Sequence, residues 1–232
     1  MQKSPLGVRG KMAFRRGMYG GENFFSDLSV TAKIILINVA VFAIFYPLFA
    51  LNVIPIDYIA IKPGNILEGN YLWTFFTAMF MHAGFFHILA NMFSLFFVGT
   101  LVERLVGARR YILFYLISGI FASLFFVASV LIFPQDINTY AVGASGALFG
   151  LVGILMLLTP DLPVYVMLIP LPVKMKYAGP GILALLWVIS IIGDIPIGNM
   201  AHFGGLLAGV VYGIYLKNKF PRKTGMIRKH FR

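Results

Sequence analysis

The sequence predicts an all-α protein that crosses a membrane several times. Three observations carry that expectation. The 232 residues are 59% hydrophobic and only 12% charged, with a mean hydropathy of +0.87, whereas a soluble domain is about 25% charged. Several apolar runs approach ~20 residues, the length at which a helix crosses ~30 Å of hydrocarbon. The basic residues gather in alternate connecting segments, the pattern left by threading a chain through a bilayer.

Hydropathy places six candidate spans at 31–53, 73–101, 111–133, 145–159, 177–193 and 201–216. Nothing before residue 28 resembles a signal-peptide core, and the first span is too long to be one. The fourth is short for a full crossing. It suits a helix that starts inside the membrane after a buried non-helical stretch, 134–144, broken by Pro134 and Gly143. Residues 160–176 hold Pro160, Pro163, Pro170 and Pro172, so no span is expected there.

Charge sets the orientation. Lys3, Arg9, Lys11, Arg15 and Arg16 lie before the first span, and Arg104, Arg109 and Arg110 lie after the second. Lys174 and Lys176 follow the fourth span, and Lys217, Lys219, Arg222, Lys223, Arg228, Lys229 and Arg232 follow the sixth. The other connections hold Lys62 and the acids Asp57, Glu68, Asp136 and Asp194. Lys33 alone breaks the pattern. Both termini are therefore expected in the cytoplasm. The chain divides into a basic tail (1–27), a six-helix membrane domain (28–216) and a second basic tail (217–232). The net charge of +11 sits in tails and short loops. That distribution argues against a nucleic-acid partner and for contact with the lipid bilayer. The absence of cysteine excludes disulfides and thiolate metal sites.

With this orientation, spans two, four and six begin on the outer side. Ser145, in Gly143-Ala144-Ser145-Gly146, opens span four, and His202 opens span six, so the two lie at one depth. Gly205, Gly209 and Gly213 form a small-residue stripe on the face of His202, and Gly146, Gly150 and Gly153 follow Ser145. Two such helices can pack backbone to backbone. Glycines at this spacing also serve packing alone, and Ser145 by itself is one more small residue. His202 shifts the balance, because an ionisable group inside a membrane is costly and usually functional. His82, His87 and Asn91 mark the outer half of span two. His87 and Asn91 share a helical face, and His82 points elsewhere. A structural hydrogen-bond network is the competing reading of these three, above all for His82. The histidines do not share one face, His-Glu-x-x-His is absent, and no carboxylate lies within a span, so neither metal nor cofactor is expected. A Ser-His-Asp triad has no evident aspartate, which leaves a serine–histidine pair.

Three motifs in order, His82-x4-His87-x3-Asn91, Gly143-x-Ser145-Gly146 and Ala201-His202-x2-Gly205-x3-Gly209, resemble the rhomboid family of intramembrane serine proteases over about residues 70 to 215. The resemblance implies a six-helix bundle, with Ser145 as nucleophile and His202 as general base. It implies an oxyanion hole made by His87, Asn91 and the Ser145 N–H. His82 matches a position tied to water and loop structure, and Trp73 the tryptophan of a Trp-Arg pair. Two departures stand out. Thr74 replaces the arginine, and Phe149 stands where tyrosine is common. The implied partners are membrane proteins whose transmembrane helix is cut near its outer end, with lateral entry near span five. The competing class is an inactive relative that binds transmembrane helices. A small transporter lacks support, since the spans carry no acidic relay. Short tails without a targeting peptide lead to the expectation of a prokaryotic plasma membrane. Oligomeric state and substrate identity leave no mark in the residues.

Overall fold

A computed structural model describes residues 27–166, 171–193 and 197–231. The N-terminal basic tail up to residue 26, Pro170, Asp194 and Arg232 lie outside the described residues. Seven helices organise the rest: α1 (Val30–Ala50), α2 (Phe85–Val106), α3 (Ala108–Ala128), α4 (Ser145–Leu158), α5 (Met175–Gly193), α6 (Asn199–Lys219) and α7 (Pro221–His230). Five of them, α1, α2, α3, α5 and α6, are long and apolar enough to cross a membrane, and α4 is a shorter apolar helix. The protein is mostly helical and belongs in a bilayer. Its large exposed side chains are apolar on helix after helix, for example Ile44, Phe93, Ile117, Ile191 and Val211, a surface that water would not tolerate.

α4 is the axis of the bundle. It is apolar on every side, and ten of its fourteen residues are buried, which is the pattern of a helix enclosed by others. It packs against α3, α5 and α6. The closest approach is to α6. A Cβ on Gly205 would collide with the Gly146 carbonyl oxygen, and one on Gly209 with that of Gly150. A Cβ on Gly153 would come within 2.6 Å of the Leu206 carbonyl oxygen. On the other side Gly146 faces the Ala122 methyl and Gly150 the Ser118 hydroxymethyl of α3, each 2.7 Å from a would-be Cβ. The small residues expected to let two spans touch therefore admit a third helix as well.

α1 is held mainly at one end. Ser29 caps it by accepting the Ala32 N–H. Glu103, near the end of α2, accepts from the Val30 N–H at 2.9 Å, the Thr31 N–H at 2.9 Å and the Thr31 hydroxyl at 2.7 Å. A carboxylate at a helix N-terminus meets both the orphan N–H donors and the positive end of the dipole.

The second span departs from its expected limits. Residues Thr74–Thr77 and Ala78–Phe80 form short helical turns, the chain is extended at Met81 and Gly84, and α2 starts only at Phe85. The apolar run from residue 73 is continuous in hydropathy, yet residues 73–84 precede the helix rather than form part of it. His82 thus sits in a loop. At the other end α2 continues through a π-turn at Leu95–Gly99 and stops at Gly107, whose φ of 88° allows the reversal into α3. Residues 163–164 and 173–174 pair as two short antiparallel strands, and no span is found among the described residues of 160–176. The basic segment after residue 217 is helical. α6 runs on to Lys219, and α7 packs back with Thr224 buried and Ile227 against the core.

Helix contact through α6 glycines predicts a sharp contrast in stability. Gly209→Val should lower the thermal unfolding temperature of the purified protein clearly, since overpacking costs about 1–3 kcal/mol and the obstructing atoms here are backbone. Gly225→Ala, in open space on α7, should leave it unchanged or slightly raised, alanine being ~1 kcal/mol better than glycine in a helix.

Candidate active site

Ser145 is the first residue of α4 and is partly open, while His202 lies one turn into α6 and is 7% exposed. Their side chains meet: His202 Nε2 is 2.7 Å from Ser145 Oγ. The glycine contacts just described bring the two backbones close enough for this bond. Phe149, one turn below Ser145, stacks on the imidazole with ring centroids 4.7 Å apart and planes 25° apart. The ring that lacks a tyrosine hydroxyl therefore still fixes the plane of His202. His202 Nδ1 is buried, and no group among the described residues bonds to it. No aspartate completes a triad among the described residues.

The turn before Ser145 has a positive-φ glycine. Gly143 has φ 123°, and its N–H donates to the Ala78 carbonyl at 2.9 Å. A Cβ there would sit 2.9 Å from His87 Nε2 and 3.6 Å from Ser145 Oγ. Glycine is required on both counts, conformation and space. His87 and Ser145 thus border one small volume beside Gly143. The Ala83 N–H donates to His87 Nδ1 at 3.4 Å. In that tautomer Nε2 carries the hydrogen, and it is Nε2 that faces Gly143.

The other expected residues are placed differently. Asn91 lies one turn beyond His87, and its amide donates to the His87 carbonyl at 2.8 Å. His82 is fully buried with its ring edge-on to His87 at 5.1 Å. Trp73 is about half exposed and away from Ser145. Its indole N–H donates to the Tyr58 carbonyl at 2.9 Å and pins the segment between α1 and α2. Thr74 bonds only locally, to the Tyr71 carbonyl at 2.7 Å. Gly146, Gly205 and Gly209 act through helix contact. Among the described residues no group of three or more His, Asp or Glu converges as a metal set. Sequence reading missed Ala78 and Ala83. Each contributes a backbone group, and backbone groups leave no signature in residue type.

Fold and site together define a helical integral membrane protein with a serine hydroxyl bonded to a buried histidine at the head of its central helix. Residues 69–219 match the family model described as Rhomboid domain. The chain belongs to the rhomboid family. It is 38% identical over 158 residues to RHOMBOID-like protein 6, mitochondrial, of Arabidopsis thaliana, covering 66% of this chain and 46% of that protein. It is 31% identical over 150 residues to rhomboid protease GluP of Bacillus subtilis (strain 168), covering 64% of this chain and 27% of that protein. Inactive RHOMBOID-like protein 8 of Arabidopsis thaliana is also similar, at 32% over 146 residues, covering 62% of this chain and 38% of that protein. The chain spans less than half the length of each of these relatives.

The crowding at Gly143 can be tested directly. Gly143→Ala should slow covalent labelling of Ser145 by a fluorophosphonate at least about tenfold, because misplacement by ~1 Å costs on the order of 10²-fold. Gly84→Ala, at an extended glycine in open space, should label at the parent rate.

Proposed function

We propose that this chain is an intramembrane serine endopeptidase that cuts transmembrane segments of membrane-protein substrates near their outer end. The observation that carries this reading is the 2.7 Å contact between Ser145 Oγ and His202 Nε2 inside a membrane bundle. Such a bond at the start of a helix has little structural purpose, and it is what a nucleophile and its base require.

The reaction follows from the atoms present. Ser145 Oγ bonds to the scissile carbonyl carbon while its proton passes to His202 Nε2. The carbonyl oxygen becomes an oxyanion. Free N–H groups at the head of α4, Ser145 included, and the His87 Nε2–H are the donors for it, with the positive end of the α4 dipole behind them. The C–N bond then breaks and His202 gives its proton to the leaving amine. Water adds to the acyl-enzyme, its proton going to His202. The C–Oγ bond breaks, and the proton returns to Ser145. Phe149 and close packing hold the imidazole in the orienting role that an aspartate has in a triad. Asn91 supports His87 through its carbonyl. His82 packs behind it, and no metal or cofactor takes part.

In this reading five long helices and the short α4 make a six-helix bundle. Both ends lie on the side of Arg104, Arg109, Arg110 and the basic α7, which the positive-inside rule makes cytoplasmic. Substrate helices enter from the lipid near α5, which buries only Met175, Ala178 and Gly179 among its described residues. The relatives come from a plant, one with a mitochondrial name, and from a bacterium, so they give no preference for a prokaryotic plasma membrane. One relative is named inactive. The alternative, a helix-binding protein without activity, requires the Ser145–His202 contact to be idle.

Purified protein in liposomes should cleave a single-span reporter near its outer end. Ser145→Ala and His202→Ala should abolish cleavage, and a parent rate in both would refute the proposal. His87→Ala should lower kcat by ~10²–10³, the usual cost of one oxyanion donor.

A further inference from the structure

The loss of the family arginine at Thr74 leaves open what holds the first outer segment against the chain that leads to Ser145. Asp57 lies in the turn Ile56–Tyr58, and its Oδ1 gathers three partners. It accepts from Asn65 Nδ2 at 2.6 Å and from the Tyr140 hydroxyl at 2.8 Å, and Lys62 Nζ is 3.9 Å away. Lys62 also lies 5.3 Å from the centre of the Tyr140 ring. Partial burial works against the charge, yet the bonds from Asn65 and Tyr140 and the Lys62 ammonium hold the Asp57 carboxyl below the usual carboxylate range. Tyr140 is 83 residues from Asp57 in sequence and five before Ser145.

The residues after Tyr140 are tied down in turn. Ala141 and Ile61 exchange both backbone hydrogen bonds, at 3.1 and 2.9 Å, and the Gly143 N–H reaches Ala78. So the approach to Ser145 is anchored by a side chain at 140, by backbone at 141 and by backbone at 143. All three anchors lie on residues 57–78. The same strip is fixed below by Trp73 on the Tyr58 carbonyl and by the Thr77 hydroxyl on the Ile59 carbonyl at 3.2 Å.

We propose that Asp57 is a positioning residue for Ser145: through Tyr140 it locks the 140–144 segment onto the first outer segment and so sets the Gly143 turn against His87. The assignment rests on the reading of Ser145 as a nucleophile. Charge-assisted bonds to a carboxylate are about twice as strong as neutral ones, so the amide isostere should loosen the latch without removing it.

The absence of cysteine from the chain allows a decisive test in full-length protein in liposomes. Asp57→Asn should lower kcat for the reporter about tenfold while KM stays within about twofold, as expected when geometry and not binding is disturbed. Tyr140→Phe removes the same bond from the other side. It should give a similar loss, and the double variant no more than either alone. Then Ile61→Cys with Ala141→Cys, facing positions of an antiparallel bridge ~5.5 Å apart at Cα, suit a disulfide. Oxidation of that pair should restore kcat in the Asp57→Asn background to at least half that of the oxidised Asp57 parent, and reduction should remove the rescue. An unchanged kcat in both Asp57→Asn and Tyr140→Phe, a loss confined to KM, or a loss that the disulfide does not rescue overturns the assignment. A parent that neither cleaves the reporter nor labels at Ser145 overturns the proposed function itself and this assignment with it.

Discussion

Everything at the site depends on two helices touching without side chains between them. Gly146, Gly150 and Gly153 of α4 meet Gly205 and Gly209 of α6 so closely that a Cβ added at Gly205, Gly209 or Gly153 would collide with a carbonyl oxygen of the facing helix. Lipid tails are as apolar as leucine, so no hydrophobic force drives these helices together within a bilayer. Close van der Waals contact must do it. The same contact decides the distance between their N-terminal ends. Ser145 and His202 are each tied rigidly to a helix backbone, and a helix separation typical of leucine packing, 8–10 Å, would draw the hydroxyl and the imidazole apart. Stability and geometry of the site are thus one quantity here, and a substitution in the stripe acts on both.

Around that contact the polar groups are arranged by the backbone. The Ala83 N–H fixes the His87 tautomer, the Ala78 carbonyl holds Gly143, and the His87 carbonyl occupies Asn91. The segment between α1 and α2 supplies Ala78 as well as Trp73, Thr77 and Asp57, so it serves as a frame for the turn before α4. Phe149 carries out the remaining orientation by stacking, a contact that needs a ring but no hydroxyl.

Much of this was legible in the residues. The composition and run lengths give the helical membrane class. Charge alternation puts Ser145 and His202 at one depth, and glycine periodicity gives their lateral contact. The start of α2 was not legible, because hydropathy does not distinguish apolar turns and extended chain, which residues 73–84 form, from an apolar helix. The helical form of the C-terminal segment was also hidden: α7 is short, strongly basic and held by Thr224 and Ile227 against the bundle rather than by any marked apolar run. The bond from the Asn91 amide to the His87 carbonyl was hidden for a simpler reason. Helical spacing places Asn91 beside His87 but says nothing about which way its amide points.

The attachment of α1 bears on how the molecule is made. α1 buries only Thr31, Ile34 and Asn38, and the carboxylate that satisfies its first N–H groups is supplied more than seventy residues later. Until Glu103 is in place, the leading N–H donors of α1 are left to water and headgroups. The helix can dock only after the far end of α2 has been delivered. α1 is therefore docked by a residue made well after it, and Glu103 is the clasp that joins the two helices.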